Sequence, residues 1–553
     1  MLKHFLIDLA IIFLIFPSLV YGQDQNIVKP ADIISELHHS NIGNIVFTDS
    51  AVPVTSIRKS DFLASYTLTN KSNLFFIAFL GNSMTNYLHM LAPDLKADAL
   101  VKAGNYQFTI YIDQNMVYQS NLIPGAPFPR IQDTATIISK PFIDNHHEGA
   151  WWSQSFWNRF MHHGGDSALS EGPHYLKLEI RPYIQLNELL VGPLMASGEL
   201  NILVARKVRL DLKNIHLSPI KPYPGLKPSA EQFDSSKIKN LVGNINENVF
   251  KHINSLVVLK HGKVLIEEYF NGETRNTLHD PRSVGKSFAS TMTGIAIREG
   301  YLKSEYQGLK DFYTMPSYSN YDPIKENITI KELLTMSSAF DGDDGDDHSP
   351  GNEENMYPME DWVKFTLDLP LKPASTEGAW HYFTAGVIVL GDILNKQVKG
   401  GLERYADEKL FKPLGISNYQ WQYTPQHVPN TAGGIQMHAL DFAKYGQLYK
   451  NNGTWNGKQI VPVTWVNQSL SHHKSIPDRK NEYYGYLFWS KYFKVKGKPH
   501  EAYYCAGNGG NHIIIFKDLP LVIVVTASAY GQSYAHQQVD SIVSEYILPA
   551  VIP

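Results

Sequence analysis

Between residues 41 and 208, short apolar runs are separated by polar or glycine-containing breaks. This pattern predicts strands over 62–68, 74–80, 106–112, 175–184 and 200–208. Strands at that spacing imply an all-β, sandwich-like domain. Proline then punctuates Ser218-Pro219-Ile220-Lys221-Pro222-Tyr223-Pro224-Gly225-Leu226-Lys227-Pro228, which supports neither helix nor central strand and reads as a linker. Beyond it, apolar runs over 256–259 and 264–270 flank His261-Gly262 and predict a hairpin. Phe288, Met292 and Ile295 recur at helical spacing until Gly300. Amphipathic helices are expected over 328–336, 385–396 and 439–449, strands over 484–493, 503–506, 512–516 and 521–527, and a last helix over 538–547. Strands at both ends with helices between them predict an α+β domain: one antiparallel sheet completed by both ends and covered by a helical insertion.

A chain of 553 residues is long enough for two or three such domains. The expected organisation is a leader over 1–22, a β-rich accessory domain over 23–215, a proline-rich linker over 216–230 and the α+β domain over 231–553. The leader reading rests on Lys3, the apolar run 9–16 and Val20-Tyr21-Gly22, which together look like a secretory signal peptide. That run is too short to span a bilayer, so the expectation is a periplasmic or secreted protein without a transmembrane anchor.

The formal charge of −4 gives no reason to expect nucleic acid, and the single cysteine, Cys505, excludes an intrachain disulfide. The histidine pairs 146–147, 162–163 and 472–473 point apart on regular structure, and no His-Glu-x-x-His occurs, so neither metal nor cofactor is expected. Asp341-Gly342-Asp343-Asp344-Gly345-Asp346-Asp347 departs from an EF-hand loop and reads as a solvated surface loop. The aromatic stretch Phe142, Trp151, Trp152, Phe156, Trp157 and Phe160 has two readings, a stacking platform for a glycan or a buried plug, of which the plug is the commoner.

Chemistry enters at Ser283-Val284-Gly285-Lys286, placed between the predicted hairpin and the helix that follows. Helical spacing sets side chains three apart beside each other, which brings the Lys286 ammonium to the Ser283 hydroxyl. A serine becomes a strong nucleophile only when a neighbouring base takes its proton, and a lysine serves when its surroundings favour the neutral form. Four other Ser-x-x-Lys copies, beginning at Ser56, Ser218, Ser236 and Ser471, lack this strand-turn-helix setting. Without that setting, Ser283 would read as a capping residue.

Together with Ser283-Val284-Gly285-Lys286, four further segments in order resemble the serine β-lactamase and penicillin-binding-protein superfamily over about residues 254–547. They are Ile328-Thr329-Ile330-Lys331-Glu332-Leu333-Leu334-Thr335-Met336-Ser337-Ser338, Tyr382-Phe383-Thr384, Ala432-Gly433-Gly434 and Trp455-Asn456-Gly457-Lys458. The nearest look is to the branch of class C enzymes, D-alanyl carboxypeptidase-esterases and 6-aminohexanoate-dimer hydrolases. The resemblance implies an acyl-enzyme on Ser283, proton transfer by Lys286 with Tyr382, and an oxyanion hole from the N–H groups of Ser283 and Asn508. It also implies substrate contacts from Thr384, Cys505, Gly507, Gly509 and Gly510.

Two positions depart from the family pattern. Thr384 stands where asparagine is usual, and Cys505-Ala506-Gly507 stands where a lysine or histidine opens the third motif. A missing cation at 505 predicts neutral esters or amides, small or peptide-like, as substrates. The reading is therefore an exported serine hydrolase (esterase or amidase). The competing reading is an inert cell-envelope binding protein whose β-rich domain captures a glycan or partner.

Overall fold

A computed structural model describes residues 33, 35–124, 133–143, 157, 159–373 and 378–552. The expected leader, and Trp151, Trp152 and Phe156, lie outside the described residues. The chain divides into two compact units, Met1–Val208 and Arg209–Pro553.

The first unit is β-rich. One sheet runs Ser65–Leu68, Ala196–Val204, Gly172–Gln185, Gly104–Ile112, Asn115–Asn121, with Leu189–Val191 paired to Gly172–Gln185 off that path. A second sheet runs Ile45–Thr48, Leu74–Phe79, Ile137–Ile143. Phe76 and Phe142 from the small sheet share one core with Phe108, Leu178 and Ile202 from the large one. Trp157 lies 5.0 Å, centroid to centroid, from both Phe142 and Phe160, and those two phenylalanines are wholly buried. Among the described residues of the aromatic stretch, Phe142 and Phe160 belong to the core and Trp157 packs against it, partly buried.

In the second unit, eight strands form one antiparallel sheet. In spatial order they are Lys263–Tyr269, Ile253–Lys260, Leu521–Ala527, Asn511–Phe516, Lys498–Gly507, Trp489–Val495, Tyr483–Tyr484 and Lys474–Ser475. The two-residue period splits each central strand between two cores. Val257, Ile513, Ile515, Val522 and Val524 pack with the helices Gly285–Arg298, Thr384–Gln397 and Ala439–Lys450. Leu256, Val258, Ile514, Ile523 and Val525 pack with Ser235–Asn246 and the C-terminal helical run that begins at Ala535. Burial on both faces is why these strands read as continuous apolar runs rather than alternating ones. The hairpin turns through His261 (φ 50°) and Gly262 (φ 73°), the paired positive angles of a two-residue turn.

The proline-rich segment belongs to this unit. Ser218 donates its N–H and its hydroxyl to Glu268, each at 2.8 Å, and Leu226 is buried in the core. Val264 N–H donates to Lys227 O at 2.9 Å, and Ser229 N–H donates to Val264 O at 2.7 Å, so the segment lies along the hairpin edge instead of hanging as a free tether.

Candidate active site

A 3₁₀ turn, Arg282–Val284, leads into the buried helix Gly285–Arg298. Arg282 enters it at φ 52°, a left-handed angle that costs a non-glycine residue about 1–3 kcal/mol and that the surroundings must enforce. One enforcing contact is the Ala432-Gly433-Gly434 segment, since a Cβ added at Gly433 would sit 2.8 Å from the Arg282 carbonyl group. The turn presents Ser283, partly exposed, above Lys286, which is 2% exposed. The Lys286 ammonium donates to Ser283 Oγ at 2.8 Å and to Ala432 O at 2.7 Å.

Tyr382 closes the other side, its ring centroid 5.1 Å from Lys286 Nζ. Trp489 stacks on Tyr382 at 5.6 Å, and Trp380 lies edge-on to Trp489 at 5.5 Å. These aromatics fix the plane of the phenol and form a wall of the cleft. Sequence reasoning missed this role for Trp489, because it sits in a strand whose apolar pattern already explained it.

The acidic run is tied to the same segment. Asp344 N–H donates to Tyr382 O at 2.8 Å, Thr384 N–H donates to Asp344 Oδ2 at 2.8 Å, and His381 Nδ1 pairs with Asp343 Oδ2 at 3.0 Å. Only part of the run is the solvated loop expected: residues 345–347 are exposed, whereas Asp343 and Asp344 are mostly covered. Burial, with the Glu353 charge adding, pushes the Asp344 carboxyl up to about 6, while the Thr384 amide and the Lys286 ammonium pull it back. Thr384 itself is buried at the start of its helix, inside the wall rather than on the open cleft.

The strand Lys498–Gly507 brings the third motif to the nucleophile. A Cβ at Gly507 would lie 1.9 Å from Pro281 O and 3.1 Å from Ser283 N, so this glycine is demanded by the nucleophile turn. Gly509 (φ 90°) and Gly510 (φ 93°) form the turn that follows. Asn511 pins that turn, its side-chain amide donating to Asn508 O at 2.8 Å and to Ala527 O at 2.9 Å. Asn508 thus follows directly on the residue packed against Ser283, with its own Oδ1 accepting Gly531 N–H at 2.8 Å.

Cys505 corrects the expectation of a substrate contact there. Its register points the side chain into the helix-covered core, where it is wholly buried, and burial pushes its thiol up to about 12. The residue before Ser283 is cationic: the Arg282 guanidinium lies 4.6 Å over the Tyr530 ring and 3.6 Å from Asp280, with about half of its side chain exposed (48%).

Among the described residues, no three His, Cys, Asp or Glu side chains are placed to hold a metal ion, and no helix is long and apolar enough to cross a membrane.

A family model described as Beta-lactamase matches residues 249–542, more than half of the chain. A Bacillus subtilis (strain 168) protein named as a penicillin-binding protein is 23% identical over 183 residues, covering 33% of this chain and 44% of its own. The beta-lactamase-like protein 2 of Dictyostelium discoideum is 23% identical over 213 residues, covering 37% of this chain and 35% of its own. The matches thus span less than half the length of these curated relatives. A solved Bacillus anthracis structure, named as a 6-aminohexanoate-dimer hydrolase, is 19% identical at a TM-score of 0.47, covering 59% of this chain and 89% of that one.

Proposed function

This chain belongs to the β-lactamase family, and on that premise we propose that it is a serine hydrolase that cleaves an ester or amide through an acyl-enzyme on Ser283. The observation that carries the reading is the 2.8 Å contact from the ammonium of a buried Lys286 to Ser283 Oγ at the start of a helix. In the proposed sequence, Ser283 Oγ bonds to the substrate carbonyl carbon as its proton passes to the ionised phenol of Tyr382. The N–H groups of Ser283 and Asn508 take the developing oxyanion. Collapse then breaks the bond to the alcohol or amine, which leaves with the proton from Tyr382. Water next attacks the ester on Ser283 as Tyr382 takes its proton; the bond to Oγ then breaks, Tyr382 returns that proton to Ser283 Oγ, and the acid product leaves. Lys286 joins the two, its Nζ 2.8 Å from Ser283 Oγ and 5.1 Å from the centroid of the Tyr382 ring.

Turnover of a small neutral ester by Lys286→Ala, Tyr382→Phe and the double variant tests this scheme. Two groups on one proton path fall by similar factors singly and together. Losses that multiply independently contradict the pairing, and full turnover by Ser283→Ala contradicts the nucleophile. Export belongs to the same proposal, and an amino terminus of the mature protein beginning within 1–22 would refute it.

A further inference from the structure

The proposed scheme leaves unused one mostly covered carboxylate beside the catalytic set, that of Asp344. The run holding it bonds back to the segment that carries Tyr382 on both sides of the phenol. Asp344 N–H donates to the Tyr382 carbonyl and Asp344 Oδ2 accepts from Thr384 N–H, each at 2.8 Å. Its second oxygen, Oδ1, accepts Glu353 N–H at 2.9 Å. Asn352 Nδ2 donates to the Asp344 carbonyl at 3.3 Å, and Asp341 N–H donates to Pro370 O at 2.8 Å, so the loop is anchored independently of the site. A carboxylate with both oxygens engaged by main-chain N–H groups is held in one orientation and cannot drift to solvent.

Charged and titratable groups reach it from two helices. Lys286 on the nucleophile helix attracts it, and Glu353, on the short helix Glu353–Met356, repels it. Tyr357, the residue after that helix, feels its charge. We propose that Asp344 is a positioning residue of the catalytic set: its carboxylate clamps the 382–384 segment and so holds the Tyr382 ring over the Lys286 side chain, 5.1 Å from ring centroid to Nζ. This rests on the assignment of Ser283, Lys286 and Tyr382 made above.

The clamp is tightest in the ionised form, because the negative charge strengthens both N–H bonds to the carboxylate. The carboxyl is pushed up to about 6, so protonation falls inside the working range of an enzyme. Glu353 is one cause of that rise. Replacing its side chain keeps the main-chain N–H bond to Asp344 while removing the repelling charge.

The experiment is the pH dependence of kcat/KM for a small neutral ester in the full chain, for wild type, Asp344→Asn and Glu353→Gln, with circular dichroism to establish folding. Wild type is expected to lose activity as pH falls through about 6. Glu353→Gln is expected to move that limb to lower pH. Folded Asp344→Asn is expected to lack the limb and to run on the order of 10²-fold slower, the scale of a misplaced catalytic group. Three results overturn the inference: a wild type without the limb, a limb that Glu353→Gln leaves in place, or a folded Asp344→Asn enzyme that keeps it. Should Asp344→Asn not fold, the Glu353→Gln shift decides alone. Turnover by Ser283→Ala instead removes the nucleophile assignment, so the two failures are distinguishable.

Discussion

The Lys286 ammonium donates to the carbonyl oxygen of Ala432 at 2.7 Å, across 146 residues of chain. A main-chain acceptor therefore helps hold the lysine where Thr384 replaces the family's asparagine. The price is tight packing: a Cβ at Gly433 would sit 2.8 Å from the Arg282 carbonyl group and 3.2 Å from Ser283 N.

Gly433→Ala is accordingly expected to displace the nucleophile turn more than the fold. Overpacking at one methyl costs about 1–3 kcal/mol of stability, whereas a shift of ~1 Å at the nucleophile costs on the order of 10²-fold in rate. Thermal unfolding and ester turnover, measured side by side, check it. Unchanged turnover would show that this loop does not hold the site.

Cys505 is expected to be inert. With the thiol wholly buried and pushed up to about 12, a thiol reagent at pH 8 should modify the protein only after denaturation. Cys505→Lys should destabilise by several kcal/mol, since it places an unpaired ammonium in an apolar core, and should give no new activity on carboxylate-bearing substrates. Rapid labelling of the native protein would contradict the side chain's placement.

What the sequence revealed and what it hid divide along physical lines. The central strands were legible because both faces are buried, and Ser283 with Lys286 because helical spacing alone brings them together. Ile45–Thr48 was too short to register, and Asn115–Asn121 is largely exposed and polar, so neither produced an apolar run. Cys505 was assigned to the cleft because its motif position was readable, whereas the face it points to depends on register, and one residue reverses it. Asp344 was hidden in an acidic run whose composition signals solvent. Its role comes from bonds to residues 38 and 40 positions away, which no local pattern encodes.

Acid should destabilise the fold through buried histidines. Burial pushes His279 down from 6.5 to about 4, and His512 goes well below its ordinary value for the same reason. As pH falls below 6.5, the unfolded chain takes up protons that the fold refuses. The stability present above 6.5 is then lost progressively, by about 3 kcal/mol at His279 once pH reaches 4. Asp344 acts in the opposite sense, because a raised carboxyl makes the fold bind its proton more tightly than the unfolded chain between 3.8 and about 6. Midpoints of thermal unfolding between pH 7.5 and 4.5 should fall overall, and less steeply in His279→Gln. A midpoint that rises on acidification would contradict this balance.

Ser283 as an activated nucleophile is the claim on which the rest depends, and reaction with a fluorophosphonate followed by intact-mass and peptide analysis tests it most directly. The account predicts one adduct per chain, on Ser283, absent from Ser283→Ala and formed far more slowly in Lys286→Ala. A folded protein that takes no label, or that carries it on another serine, would contradict it.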